Sequence, residues 1–363
     1  MGTLSVRSFL RKFGCIVLAC WVLFGMVWSG ALGAVDRDSK IIIMVSDIDS
    51  IANLPAKLTE ALGYFKDEGL NVELQEQPVG VDAEDLLLSG AVQAVVGFYD
   101  HTIDLQSKGK NIEAIVVLNK TPGEMLLVST RAASHFKSMA DARGQILGVA
   151  GLGSSSEFLT RYLAERAGVP ANDYALLPMG QGDAFVTAMR HGRIQAGMFT
   201  EPAAYELLAS GDARVLVDLR TNQGQLQALG GPYPAASVCV QNTWANTHRV
   251  EATKLAHAFA RTLRYINTHS AEDIANKMPP GFYDNDRAHY VRALWASLPM
   301  FTTDGKMPVG GPETVLKVLN AYRPQVKSGN IDLSKTYTNA FLTTNAGWAR
   351  SGSSRPCRFG DAC

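Results

Sequence analysis

The stretch Gly148-Val149-Ala150-Gly151-Leu152-Gly153-Ser154-Ser155-Ser156-Glu157-Phe158 reads as the end of a buried strand, a glycine-rich turn and the first turn of a helix. Glycines let the backbone bend sharply and approach a ligand closely, and Ser154 with Glu157 has the spacing of a capping box. Free N–H groups at such a helix start, with serine hydroxyls beside them, suit an anion or a polar oxygen. A P-loop needs a Gly-Lys-Ser/Thr ending, and no lysine is present. The dinucleotide fingerprint needs glycine where Ser156 stands, and Gly-x-Ser-x-Gly cannot be laid on any of the three serines. The stretch therefore reads as a binding cradle without a nucleophile, or simply as a capped helix.

Working outward, the same plan occurs twice. Lys40 to Ser46 is a continuous apolar strand ending in the polar loop Ser46-Asp47-Ile48-Asp49-Ser50, with Asn53 and Pro55 opening a helix. Ala91 to Phe98 is a further strand ending in Tyr99-Asp100-His101-Thr102, and Ile112 to Leu118 and Met125 to Ser129 are others. The turn and strand Ser89-Gly90-Ala91-Val92-Gln93-Ala94 matches His191-Gly192-Arg193-Ile194-Gln195-Ala196, and Gly109 matches Gly211; both glycine pairs are 102 residues apart. Two similar α/β lobes in one chain produce such matches. In the second lobe, the strand Gln195 to Phe199 ends in Thr200-Glu201-Pro202. Long helical patterns follow, at Arg249 to Asn267, Ala271 to Asn276, Arg287 to Ala296 and Glu313 to Tyr322.

Ligands of open α/β sheets sit outside the carboxyl ends of the strands. The residues found there are Ser46, Asp47, Asp49, Tyr99, His101, Thr102, Ser154, Ser155, Ser156, Thr200 and Glu201.

The 363 residues balance 34 Lys and Arg against 34 Asp and Glu, which leaves no basic footprint for a nucleic-acid partner. Arg7, Arg11 and Lys12 precede an apolar run from Phe13 to Trp28 and the small residues Ser29 to Ala34. Residues 1–33 are thus expected to be a secretory signal, cleaved after Ala31 or Gly33, and an uncleaved anchor is the alternative. Its removal takes three cations and no acid, so 31 cations would face 34 carboxylates. Cys239, Cys357 and Cys363 form neither a disulfide framework nor a zinc pattern, and the seven histidines never show metal spacing. No metal or cofactor is expected. Residues 343–363 are rich in Ser, Gly and Arg without periodicity and are expected to be a disordered tail.

Leu54-Pro55 through Gly63-Tyr64-Phe65-Lys66-Asp67-Glu68-Gly69-Leu70-Asn71-Val72-Glu73, with Gly151 to Phe158, Gly192 to Ala196 and Phe199-Thr200-Glu201-Pro202, resembles the nitrate, sulfonate and taurine group of periplasmic substrate-binding proteins of ABC importers. That group includes binding proteins for a thiamine-precursor pyrimidine and related synthases. The resemblance covers about residues 40–342 and implies a type II periplasmic-binding fold, two α/β lobes joined by two crossover strands with the ligand cleft between them. Lobe 1 would comprise residues 40–127 and a helical part, 234–342, and lobe 2 residues 128–233. The crossings are expected near Glu124 to Ser129 and Gly231 to Ser237. The implied partners are a small-molecule ligand and an inner-membrane ABC permease; the protein is expected to be periplasmic and a monomer. The cysteine-rich motif of the synthase relatives is absent.

No arginine or lysine falls in the four loops, so an anion would depend on N–H groups and hydroxyls, while Asp47, Asp49, Asp100 and Glu201 are acidic. A ligand with an acidic end at Ser154 to Ser156 and an amine end near a carboxylate reconciles both, as in a taurine-like aminosulfonate or an aminopyrimidine; an aromatic carboxylate is a further alternative. Tyr99 and Phe199 would supply an apolar wall. An enzyme reading, a pyrimidine synthase or a hydrolase using Ser155 with His101 and Asp100, needs a base within reach of the serine.

Overall fold

The computed structural model describes residues 40–77, 80–283 and 286–343. The expected signal segment lies outside the described residues, as do the tail beyond Thr343 and its two cysteines.

Two five-stranded sheets share one plan. In the first, β1 (Ile41–Ser46) runs parallel between β2 (Val72–Gln77) and β3 (Ala94–Phe98), and β4 (Ile112–Val117) lies at the far edge. In the second, β6 (Ile146–Val149) runs parallel between β7 (Ala175–Pro178) and β8 (Ala196–Phe199), and β9 (Ala213–Asp218) holds the far edge. Each sheet takes its remaining strand from the other half of the chain. Strand β5 (Met125–Ser129) lies antiparallel between β8 and β9, and β10 (Ala236–Gln241) lies antiparallel between β3 and β4.

This exchange corrects one expectation. Met125–Ser129 does not cross between lobes but pairs along its whole length in the second sheet, because its four apolar residues, all buried, suit a central strand. The chain passes between sheets in the residues after Val117 and again between Asp218 and Ala236.

The repeat has a structural cause. Gln93 and Gln195 occupy equivalent places, each amide oxygen accepting from the backbone of its lobe's leading strand, at Ile42 (2.8 Å) and Ile146 (2.9 Å). Gly90, Gly192, Gly109 and Gly211 all have φ between 68° and 80°, the left-handed turn that glycine makes without a Cβ clash.

The helix Arg249–Thr268 covers the first sheet with Leu255, Phe259, Leu263 and Ile266, and Phe259 meets Phe65 edge-on at 5.5 Å. Burying each such side chain contributes about 1.5–3 kcal/mol. In the second lobe, Phe185 fills the space above two glycines. A Cβ on Gly148 would stand 2.7 Å from Ile194 and 2.8 Å from Phe185, and one on Gly197 would stand 2.7 Å from Phe185. Gly148→Val should therefore destabilise the protein by roughly 1–3 kcal/mol through overpacking, read as a lower urea midpoint at unchanged slope.

Candidate functional site

The loop after β1 is held by its own side chains. The Asn53 amide nitrogen donates to the carbonyls of Ser46 and Asp47, and the Ser50 hydroxyl accepts from Ala52 N–H at 3.3 Å. Asp47 sits at φ 51°, a conformation rare for a residue with a Cβ. Because Nδ2 of Asn53 is engaged with two carbonyls, its Oδ1 is fixed as a buried acceptor, and it has no partner among the described residues.

After β3 the chain enters the helix Asp100–Ser107, and His101 and Glu84 form a buried pair through Nδ1. Burial alone would lower the imidazole's pKa, but Glu84, Asp100 and Asp104 outweigh it and raise it to about 9. At neutral pH His101 is therefore an imidazolium. Its Nε2 must carry a proton, and it has no hydrogen-bond partner among the described residues.

From the second lobe comes the start of the helix Ser155–Arg166. Ser154 caps it, accepting from Glu157 N–H at 3.3 Å, while the Glu157 carboxylate turns back to Gly153 N–H. The three hydroxyl protons are all committed. Ser154 donates to the Gly151 carbonyl (2.7 Å), which leaves Ser156 to donate to Ser154 (2.8 Å), and Ser155 donates to Asp100 Oδ1 (2.6 Å). Asp100 also accepts from Tyr233 at 2.8 Å, so it ties the first lobe to the helix start of the second and to the segment that returns from it. The backbone N–H groups of Ser155 and Ser156, at the first two helical positions, remain as donors.

Between these loops lies an inner cavity of about 50 Å³, room for a few waters or one ligand head group. Ser46, Asp47, Asn53, His101, Glu124, Ser154, Ser155, Ser156, Gln181 and Thr200 line it, with Phe98 as its apolar wall. Four of them present polar atoms without partners among the described residues: Asn53 Oδ1, His101 Nε2, Glu124 Oε2 and Gln181 Oε1. Burial first, and then Asp100, holds the Glu124 carboxyl well above its ordinary pKa against the opposing effect of His101 and so favours the protonated form that can donate. Few native groups are left unpaired when buried, and four on the residues of one cavity make it the candidate binding site.

Asp47, Ser50, Gln181 and Thr200 also line an outer cleft of about 720 Å³. It is acidic, with Asp47, Asp49, Glu76, Asp183, Glu206 and Asp286 around it. Burial, reinforced by Asp49 and Glu76 and opposed by a hydrogen bond from Thr200, pushes Asp47 up to about 7.

Seven of the eleven residues read from the sequence thus line the inner cavity, and Asp49 and Glu201 join the outer cleft. Tyr99 and Thr102 do not. The Tyr99 ring is turned into the core, its hydroxyl 2.5 Å from Thr336 Oγ1, and Thr102 bonds back to the Tyr99 carbonyl. Phe199 is likewise packed against Phe185 inside the second lobe. The Glu201 carboxylate is held by Arg220 and by Tyr205 N–H, both at 2.7 Å. The absence of Lys and Arg from the loops is offset by the His101 charge. Asn53, Phe98, Glu124 and Gln181 were missed: Asn53 reads as a helix opener, and Glu124 and Gln181 stand outside the four loops.

No helix among the described residues is long and apolar enough to cross a membrane. The structure is similar to that of a protein from Bordetella bronchiseptica RB50, 30% identical with a TM-score of 0.80 over 84% of this chain and 96% of that one. It is also similar to the periplasmic aliphatic sulphonate binding protein SsuA of Escherichia coli (17%, TM-score 0.62, 84% and 99% covered). The periplasmic nitrate-binding protein NrtA of Synechocystis PCC 6803 is a further likeness (11%, TM-score 0.66, 83% and 86% covered). At these identities the last two show the fold, the two-lobed periplasmic-binding fold. The 4-amino-5-hydroxymethyl-2-methylpyrimidine phosphate synthase of Saccharomyces cerevisiae is 24% identical over 151 residues. The chain spans about two fifths of that relative's length, 42%, and the match takes 41% of this chain. The family model described as NMT1/THI5 like matches residues 54–272, and the chain belongs to that family.

Proposed function

We propose that this protein is an extracytoplasmic receptor that captures a small polar solute between its lobes and delivers it to an ABC permease, acting as a monomer. The observation that carries the reading is the inner cavity with its four unpartnered atoms, assembled from both lobes and from the connection between them. Two of the four, Asn53 Oδ1 and Gln181 Oε1, are acceptors. They call for N–H groups on the ligand, while His101 Nε2 and Glu124 call for an acceptor beside them. An aminopyrimidine offers both along one edge. A sulfonate offers acceptors only, and the committed serine hydroxyls would not donate to it. A taurine-like zwitterion is the second reading, with its sulfonate at His101 and its amine at Asp47 in the acidic cleft.

Turnover is not part of this reading. Ser155 hands its proton to Asp100 rather than to a histidine, and His101, already an imidazolium, cannot act as the general base of a hydrolase.

Thermal melting of the protein from Val35 onward tests the proposal against 4-amino-5-hydroxymethyl-2-methylpyrimidine, taurine, ethanesulfonate and nitrate. A ligand at about 100 times its Kd adds roughly 2.7 kcal/mol to the folded state. A selective rise with the aminopyrimidine or with taurine supports the receptor, and a flat response to both contradicts the assigned ligand classes. An amine-bearing ligand should bind more tightly as Asp47 ionises, by up to roughly tenfold between about pH 6 and 8. Calorimetric titration at the two ends of that range checks it.

A further inference from the structure

A second cavity, of about 240 Å³, opens on the other seam between the lobes. Glu157, Arg161 and Glu165 reach it from the helix Ser155–Arg166, with Tyr174 beside them, and Tyr322, Arg323 and Gln325 reach it from the turn after the helix Gly311–Asn320. Two of its lining residues carry buried donors with no partner among the described residues, Tyr322 Oη and Arg323 Nε. Burial, with Asp100, Glu157 and Asp104 nearby, raises the Tyr322 phenol well above its ordinary pKa against the opposing Arg323, so the hydroxyl keeps its proton.

Arg323 is held in place from two sides. Its Nη2 donates to Asp104 at 2.9 Å, and its guanidinium stands 4.4 Å over the Phe158 ring. Asp104 also carries Lys108 at 2.7 Å, so two cations share one carboxylate and leave one positive charge in excess. Arg161 is neutralised by Glu157 at 2.6 Å, and Glu165 at the rim cancels that excess, so these charges sum to zero. A single negative charge fits that balance better than a doubly charged anion.

We propose that this cavity is a second binding site, for a small organic monocarboxylate, whose oxygens would take the free hydrogens of Tyr322 Oη and Arg323 Nε. Because its walls come from both lobes, the occupant binds only the arrangement that brings them together and so favours closure. Phe158 connects the two sites, since the ring under Arg323 also meets the His101 ring edge-on at 5.6 Å.

The test uses benzoate, acetate and inorganic phosphate as probes, followed by thermal melting and calorimetry. Benzoate or acetate should raise the melting temperature more than phosphate does. Tyr322→Phe, which removes one hydroxyl, and Arg323→Lys, which removes Nε–H, should each weaken carboxylate binding by about fivefold or more. A urea midpoint for Tyr322→Phe close to wild type shows that the fold is intact. The proposal is overturned if none of the probes binds, if phosphate binds more tightly than the carboxylates, or if both variants bind as the wild type does. Failure of this proposal leaves the reading of the main cleft standing.

Discussion

His101→Ala is expected to cost about 3–5 kcal/mol of stability at neutral pH and to abolish ligand binding. The residue is 4% exposed and its partner Glu84 is 3% exposed, so the substitution leaves a carboxylate buried without its counter-charge. Burial already raises the Glu84 pKa, with His101 as the largest opposing influence. Lowering the pH toward 5 should therefore shrink the cost of the substitution as Glu84 takes up a proton. Wild type carries the complementary signature. An imidazole raised from 6.5 to about 9 binds its proton more tightly in the folded state. Its contribution is complete below about pH 6.5 and is lost as the pH rises toward 9, some 3 kcal/mol over that window. Urea unfolding at pH 5, 7 and 9 reads both effects.

Asp100→Ala should be the next most damaging change. Asp100 is fully buried and accepts from Ser155 of the second lobe and Tyr233 of the returning segment. Its loss strands two buried hydroxyls at roughly 1–3 kcal/mol each. It also removes a bond that holds the lobes together, so small-angle scattering should report a larger radius of gyration for the variant than for wild type. Asp100→Asn, which keeps an acceptor of the same shape, should sit between the two.

The parts of the fold legible in the sequence were those set by local rules. Continuous apolar runs gave the buried parallel strands, glycines with positive φ marked the turns, and the repeated Gly-x-x-Gln pattern identified two lobes because Gln93 and Gln195 make the same strand contact. What was not legible depended on long-range pairing. Nothing local in Met125–Ser129 says that it belongs to the second sheet, since that follows only from its partners Phe199 and Asp218. The site shows the same division. Strand ends delivered Ser46, Asp47 and His101, but the orientation of Tyr99 depends on Thr336, 237 residues away. The charge on His101 depends on Glu84, which sits in a helix with no sign of a site in its sequence.

The most direct test of the inner cavity is calorimetric titration of 4-amino-5-hydroxymethyl-2-methylpyrimidine and of ethanesulfonate into wild type and Gln181→Met near pH 7.5. The substitution removes the unpartnered Oε1 from the wall shared by the cavity and the cleft while keeping the length of the side chain. The aminopyrimidine should bind wild type at least about tenfold more tightly than ethanesulfonate and lose about tenfold in the variant, the worth of one hydrogen bond. Tighter binding of ethanesulfonate, or equal binding by Gln181→Met and wild type, would contradict it.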